Sequence, residues 1–207
     1  MFSQVHKIPE TFESTTDYQN SFLPLLFEET RADLSSSLFG VSQAPLCEMQ
    51  NVEESIELTL PIPETENQFI QFQHVLRLKN RNGGNYKPES GDLIAFTHIR
   101  PKSFNDLNAL KSPNRIAYVK EATYEKEVDY VKQETKKFWY KITVLSSKCM
   151  KMDIEYDLWH NKEMKLYAVY LMNITTNVRI RNALKSIPCM NIIKTVLGPH
   201  QTVRIIF

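Results

Sequence analysis

Apolar residues in the first part of the chain recur at helical spacing. Leu23, Phe27, Leu34 and Leu38 stand at i, i+4, i+11 and i+15, with Phe22 and Leu26 widening the stripe, and this pattern predicts an amphipathic helix over residues 21–38. Ser21 is its expected N-cap, and Pro24 falls in the first turn, where a missing N–H has no intrahelical partner. Gly40 is the expected stop, because glycine takes up the left-handed conformation that closes many helices. Residues 1–16 are polar, contain Pro9 and show no sustained period, so they read as a flexible lead-in.

Beyond Pro45 the period becomes that of strands. Short runs rich in branched and aromatic residues alternate with Pro, Gly, Asn and Ser, and six strands are predicted, over 54–60, 69–78, 92–99, 115–122, 138–145 and 165–173. In the fifth, Phe138, Tyr140, Ile142 and Val144 alternate with Trp139, Lys141 and Thr143, as on a half-buried strand. The sixth is apolar on both faces over 166–172, which demands a central position or a helical cover. Turns such as Asn82-Gly83-Gly84-Asn85 and Pro88-Glu89-Ser90-Gly91-Asp92 join these runs. The expected fold is mainly β with flanking helices, a small six-stranded antiparallel β-barrel plus a helical stalk, because a closed sheet leaves no exposed edge. Residues 102–114 and the charged stretch 121–137 are assigned to surface loops or insertions on the barrel.

A second helix is expected to begin at Thr175 or Thr176, either of which can cap it, and to end at Pro188. Ile180, Ala183, Leu184 and Ile187 are its expected packed face, with Arg179, Arg181, Asn182 and Lys185 on the opposite arc. NIIKTVL then starts a further helix or strand. The chain therefore divides into a flexible N-terminus (1–16), a stalk helix (17–45), a barrel domain (46–174) and a second stalk helix with a truncated end (175–207).

Charge changes the picture more than length does. The net charge of the 207 residues is +1, yet residues 1–75 carry twelve acids against two bases, residues 76–120 nine bases against three acids, and residues 166–207 five bases and no acid. The middle and the end can face a polyanion and the beginning cannot. The alternative is that one surface simply pairs with another. Three widely spaced cysteines, Cys47, Cys149 and Cys189, suggest neither a disulfide framework nor a zinc site and fit a reducing compartment. No apolar run is long enough to span a bilayer and the N-terminus lacks the apolar core of a signal peptide, so the chain reads as nuclear or cytoplasmic, the nucleus favoured, with no membrane partner.

Catalytic chemistry is absent from the motifs. Nothing matches G-x-x-x-x-G-K-[ST], and Gly83-Gly84 leads into a hairpin turn rather than a phosphate loop. His6, His74, His98, His160 and His200 are far apart in sequence and form no metal-binding spacing; His74 and His98 read as ordinary strand residues. The acids Glu121, Glu125, Glu127 and Asp129 are interspersed with Lys126 and Lys132, a solvated face rather than a catalytic dyad. No catalytic residue, cofactor or metal is expected.

A nucleic-acid constellation remains. Arg77, Lys79 and Arg81 lie on one face of a strand and its turn, and Arg100 with Lys102 follows a second strand, a pattern able to lay a basic stripe along a barrel edge. Arg179, Arg181 and Lys185 form a second set on the C-terminal helix. Tyr86, Phe96, Phe104, Trp139 and Tyr140 are candidate stacking surfaces, the alternative being that they are core.

Four phrases carry a family resemblance: DYQNSFLPLLFEETRADLSSSL, YKPESGDLIAFTHIRPKSFNDLN, FWYKITV with the following LSSK, and LYAVYLMNITTNVRIRNALKSIPCMNIIKTVL. They resemble the region ahead of the motor in plant superfamily 1 helicases of the senataxin type, a plant-lineage domain of unknown function related to the MAGATAMA helicases. The resemblance covers residues 16–197 and includes no catalytic motif. It implies a helical stalk and small barrel that help hold nucleic acid against a motor. Here GPHQTVRIIF follows Val196-Leu197 where the family continues into ATP-binding domains, so ATPase and unwinding activities are not implied. The family commonly has an aromatic residue in place of Arg181. The function expected is a motorless accessory module contributing to RNA or DNA binding, with single-stranded RNA or DNA, a protein, or a helicase motor in trans as partner. The alternative is a protein-docking module or a nonfunctional truncated fragment.

Overall fold

The computed structural model describes residues 8, 9, 12, 14–61, 68–79, 86–108, 116–129, 134–147, 149 and 165–186. The chain forms two compact units, residues 34–173 and a second made of 1–33 with 174–207.

In the larger unit, six strands form a closed barrel: β1 (Leu46–Pro61), β2 (Gln68–Lys79), β3 (Asp92–Thr97), β4 (Ile116–Asp129), β5 (Glu134–Ser146) and β6 (Leu166–Asn173), in the order β1-β2-β5-β4-β3-β6. Every pairing is antiparallel. Closure follows from alternation. Cys47 and Met49, Leu76 and Leu78, Ile94 and Phe96, Ala117 and Val119, Ile142 and Val144, and Leu166 and Ala168 come from the six strands at every second residue and make one buried cluster. Burying so complete a ring of apolar side chains is the main stabilising term for the barrel.

The opposite faces of β3 and β6 are apolar too. Ala95, Val169 and Leu171 are covered by Leu34 and Leu38 from the end of helix α1 (Thr15–Phe39), by Val41 of a 3₁₀ turn (Val41–Gln43), and by Leu107 of the short helix α2 (Phe104–Asn108). This is the helical cover that the two-faced sixth strand demanded.

All six predicted strands exist, and four of them, β1, β2, β4 and β5, are longer than their predicted runs. β1 begins at Leu46 rather than 54, and the stretch 121–137 assigned to a loop is instead largely the paired ribbon of β4 and β5, with Glu125↔Trp139 and Asp129↔Glu134 in register. Charged alternation hides these strands from a reading based on apolar runs. The predicted turn 82–85 and residues 109–114 lie outside the described residues.

A polar bolt anchors the start of β3. Buried Asp92 accepts hydrogen bonds from Tyr86 Oη (2.9 Å), the Glu89 backbone N–H (2.8 Å) and Asn173 Nδ2 (2.8 Å), so its charge is satisfied three times over. Gly91 makes the turn possible, since its φ of 96° is a conformation that side-chain-bearing residues rarely adopt. Burial and the Asp92 carboxylate push the Tyr86 hydroxyl far up from its ordinary value, and burial alone pushes the Cys47 thiol up to about 12. His74 is fully buried, with Nδ1 2.7 Å from Ser55 Oγ and Nε2 3.2 Å from Ser146 Oγ. Both ring nitrogens are thereby hydrogen-bonded, as a core histidine requires.

In the helical unit, α1 starts six residues before the predicted boundary. The cap is Ser14 and not Ser21: Ser14 Oγ accepts from the Asp17 N–H (3.0 Å) and donates to Asp17 Oδ2 (2.6 Å), an N-cap bond reinforced by a side-chain hydrogen bond. Pro24 is therefore interior, on an exposed position, and Gly40 has φ −83°, not the left-handed value expected of a stop. The packed stripe runs through Tyr18, Phe22, Leu23 and Leu26, while Phe27 is 56% exposed. Helix α3 (Thr175–Ser186) lies antiparallel to α1, because Gln19 Nε2 donates to the Leu184 carbonyl (2.7 Å) and Asn177 Nδ2 to Thr30 Oγ1 (2.8 Å). Among the described residues no helix is long and apolar enough to cross a membrane.

Candidate nucleic-acid interface

The cations of β2 stand in a cross-strand network. Arg77 lies directly opposite Lys141 of β5, a like-charge pairing that is unfavourable by itself. Glu53 of β1 resolves it, with Oε1 3.1 Å from Arg77 Nε and Oε2 3.0 Å from Lys141 Nζ. The Arg77 Nε contact is an ion pair by distance without hydrogen-bond alignment. Glu125 Oε2 accepts a further hydrogen bond from Arg77 Nη2 at 3.4 Å. Trp139 lies beneath two cations, with Arg77 Cζ 5.8 Å and Lys79 Nζ 5.6 Å from its ring centroid. Most of the positive charge on this wall is answered by neighbouring strands. Arg81 lies outside the described residues.

Arg100 and Lys102 do not continue this patch. β2 and β3 are three places apart in a ring of six strands, hence on opposite sides of the barrel. Three antiparallel steps separate them, so they run in opposite directions, and Lys79 closes β2 at one end while Arg100 follows β3 at the other. The single basic stripe expected from the sequence is thus split by closure. Arg100 and Lys102 are exposed on the connection to α2, together with Ile99 and Phe104. That connection is held at both ends. Thr97 Oγ1 contacts the Ile99 N–H (3.4 Å) and carbonyl (3.2 Å), Pro101 is fully buried, and Asp106 Oδ2 accepts from the N–H groups of Lys102 (2.7 Å) and Ser103 (2.9 Å). These backbone donors hold the Asp106 carboxyl below its ordinary range.

The third set is in the helical unit. Arg179 and Lys185 are exposed on α3 and Arg181 is half-buried. The expected face is rotated: Leu184 is buried, but Ile180 is 42% exposed and Ala183 is exposed, and the inward side runs through Asn177, Arg181 and Leu184. The hydrogen bonds of Asn177 and of the Leu184 carbonyl to α1 fix that rotation. Ile187 lies outside the described residues. Among the described residues, Arg100, Lys102, Arg179, Arg181 and Lys185 form no ion pair with a carboxylate.

Of the five candidate stacking residues, Tyr86, Phe96 and Tyr140 are buried in the barrel core and present no face to a ligand. Trp139 is covered by cations; Phe104 is 39% exposed. Sequence reasoning missed Ile99 and the part played by Asp106, although Ser103-x-x-Asp106, like Ser14-x-x-Asp17, has capping-box spacing. Among the described residues no group of three or more His, Cys, Asp or Glu could hold a metal ion.

No curated protein and no solved structure matches the chain. One family model does, over residues 1–204, so a barrel with a paired-helix unit and split basic surfaces belongs to the family described as domain of unknown function (DUF6469).

Proposed function

We propose that this protein is a nucleic-acid-binding accessory module, of the kind that precedes the motor in senataxin-like helicases, and that it contributes contacts to RNA or DNA rather than ATP hydrolysis or unwinding. The observation that carries this reading is the segregation of its cations. In a chain of net charge +1, Arg100, Lys102, Arg179 and Lys185 are exposed and have no carboxylate ion pair among the described residues. Solvent-facing cations that are not held in ion pairs are available to phosphates and release counterions when they bind them. The sequence contains no G-x-x-x-x-G-K-[ST] loop, which agrees with a role in binding.

The test is fluorescence anisotropy of labelled single-stranded RNA and its DNA equivalent with the full chain, at low and near-physiological salt. Binding that falls steeply with salt is the expected result. No binding at low salt removes the reading and leaves protein docking in its place.

A further inference from the structure

Residues 99–104 combine features that a simple solubilising loop does not need. Two large apolar side chains, Ile99 at 49% and Phe104 at 39% exposure, stand out from the surface beside exposed Arg100 and Lys102. The backbone that carries them is fixed by Thr97 Oγ1 at one end, buried Pro101 in the middle and the Asp106 carboxylate at the other. A segment ordered before binding loses little freedom on binding, so its contacts are retained as affinity.

We propose that residues 99–104 are a contact specific for single-stranded nucleic acid, with the Phe104 ring stacking on an unpaired base and Arg100 and Lys102 holding the adjacent phosphates. This rests on the nucleic-acid reading above and assigns it a site and a strand state. The chemistry separates the two kinds of group. Guanidinium and ammonium groups attract phosphates of single strands and duplexes alike. An aromatic ring gains only from a base whose face is open, and in a duplex those faces are already stacked on their neighbours. Phe104 therefore supplies the discrimination and the two cations supply general attraction. The Trp139 ring, by contrast, is already engaged by Arg77 and Lys79.

The experiment compares an unstructured oligouridylate, its deoxy counterpart and a duplex of equal length, by anisotropy with the full chain at low salt. Phe104→Ala is expected to weaken single-strand binding by about tenfold and leave duplex binding unchanged, and Phe104→Trp to restore it. Arg100→Glu with Lys102→Glu is expected to weaken all three probes and lower the single-strand salt slope by roughly 1.4. Circular dichroism and the melting temperature of each variant report on folding, and these exposed positions are expected to leave both unchanged. If wild-type protein binds single strands but Phe104→Ala does not alter that binding, or alters duplex binding equally, this contact is overturned while the nucleic-acid reading stands. If wild-type protein binds none of the probes, both fall.

Discussion

Arg77 on β2 and Arg179 on α3 carry the same guanidinium into different surroundings. On a sheet, side chains from the two adjacent strands project beside any outward-facing residue at roughly 5 Å, so a neighbour of opposite charge is within reach wherever sequence supplies one. The adjacent β1 supplies Glu53, β4 supplies Glu125 from beyond β5, and Arg77 becomes part of the wall. On α3 no partner is available one turn away along the same helix, since residues 166–207 contain no acid at all, and among the described residues no carboxylate of α1 forms an ion pair with Arg179. The charge of Arg179 stays available to a ligand. A basic residue is thus a binding residue only after its neighbours have failed to neutralise it.

The largest effect should come from showing that wall charges are not what holds the barrel together. Asp92→Ala leaves the Tyr86 hydroxyl, the Glu89 N–H and the Asn173 amide without their shared acceptor, and is expected to lower unfolding stability by about 3–5 kcal/mol in urea denaturation. A loss no bigger than that of a surface ion pair would mean that the bolt is dispensable. Next comes the binding contrast itself. Arg179→Glu with Lys185→Glu is expected to reduce single-strand affinity by more than about tenfold at low salt, whereas Arg77→Ala changes it by less than about threefold. Equal losses would dissolve the distinction between wall and helix.

Glu53→Gln sharpens the same comparison from the other side. It frees Lys141 and leaves Arg77 with Glu125 alone, so affinity for nucleic acid should rise while stability falls by less than about 1 kcal/mol, an amount that salt reduces further. The smallest effect is local to the connection after β3. Asp106 has a folded-state pKa below its unfolded value, so its hold on the loop is complete above the unfolded value and is lost as pH falls through the folded one. The amide resonances of Lys102 and Ser103 should accordingly titrate with a midpoint below the ordinary aspartate value of about 3.9. A midpoint at or above that value would sever the link between Asp106 and these amides.

Alternation made the barrel legible. Ile142 and Val144 point inward as the period-2 pattern of β5 required, and the two-faced apolar run of β6 announced the cover that Leu34, Leu38 and Val41 provide. The ribbon ends were not legible, because 121–137 is dominated by charged residues and lacks an apolar period. The start of α1 was missed for a related reason: the apolar stripe begins after the helix does, and only the Ser14 to Asp17 spacing marks the true end. On α3, polar contacts from Asn177 and to Leu184 overrode an apolar stripe that pointed elsewhere, leaving Ile180 exposed.

What the sequence determined by itself was the set of elements and the types of side chain each would expose, since period, turn residues and charge are local properties. Only tertiary structure decided which cations share a surface. Closure put β2 and β3 across a ring from one another and reversed their directions, so Lys79 and Arg100, both strand-end bases in the sequence, face different sides and different ends. It also brought Glu53 to Arg77 across strands and left residues 99–104 projecting with a fixed backbone. Strand order and pairing register are long-range, and no local pattern encodes which distant carboxylate will cancel which cation.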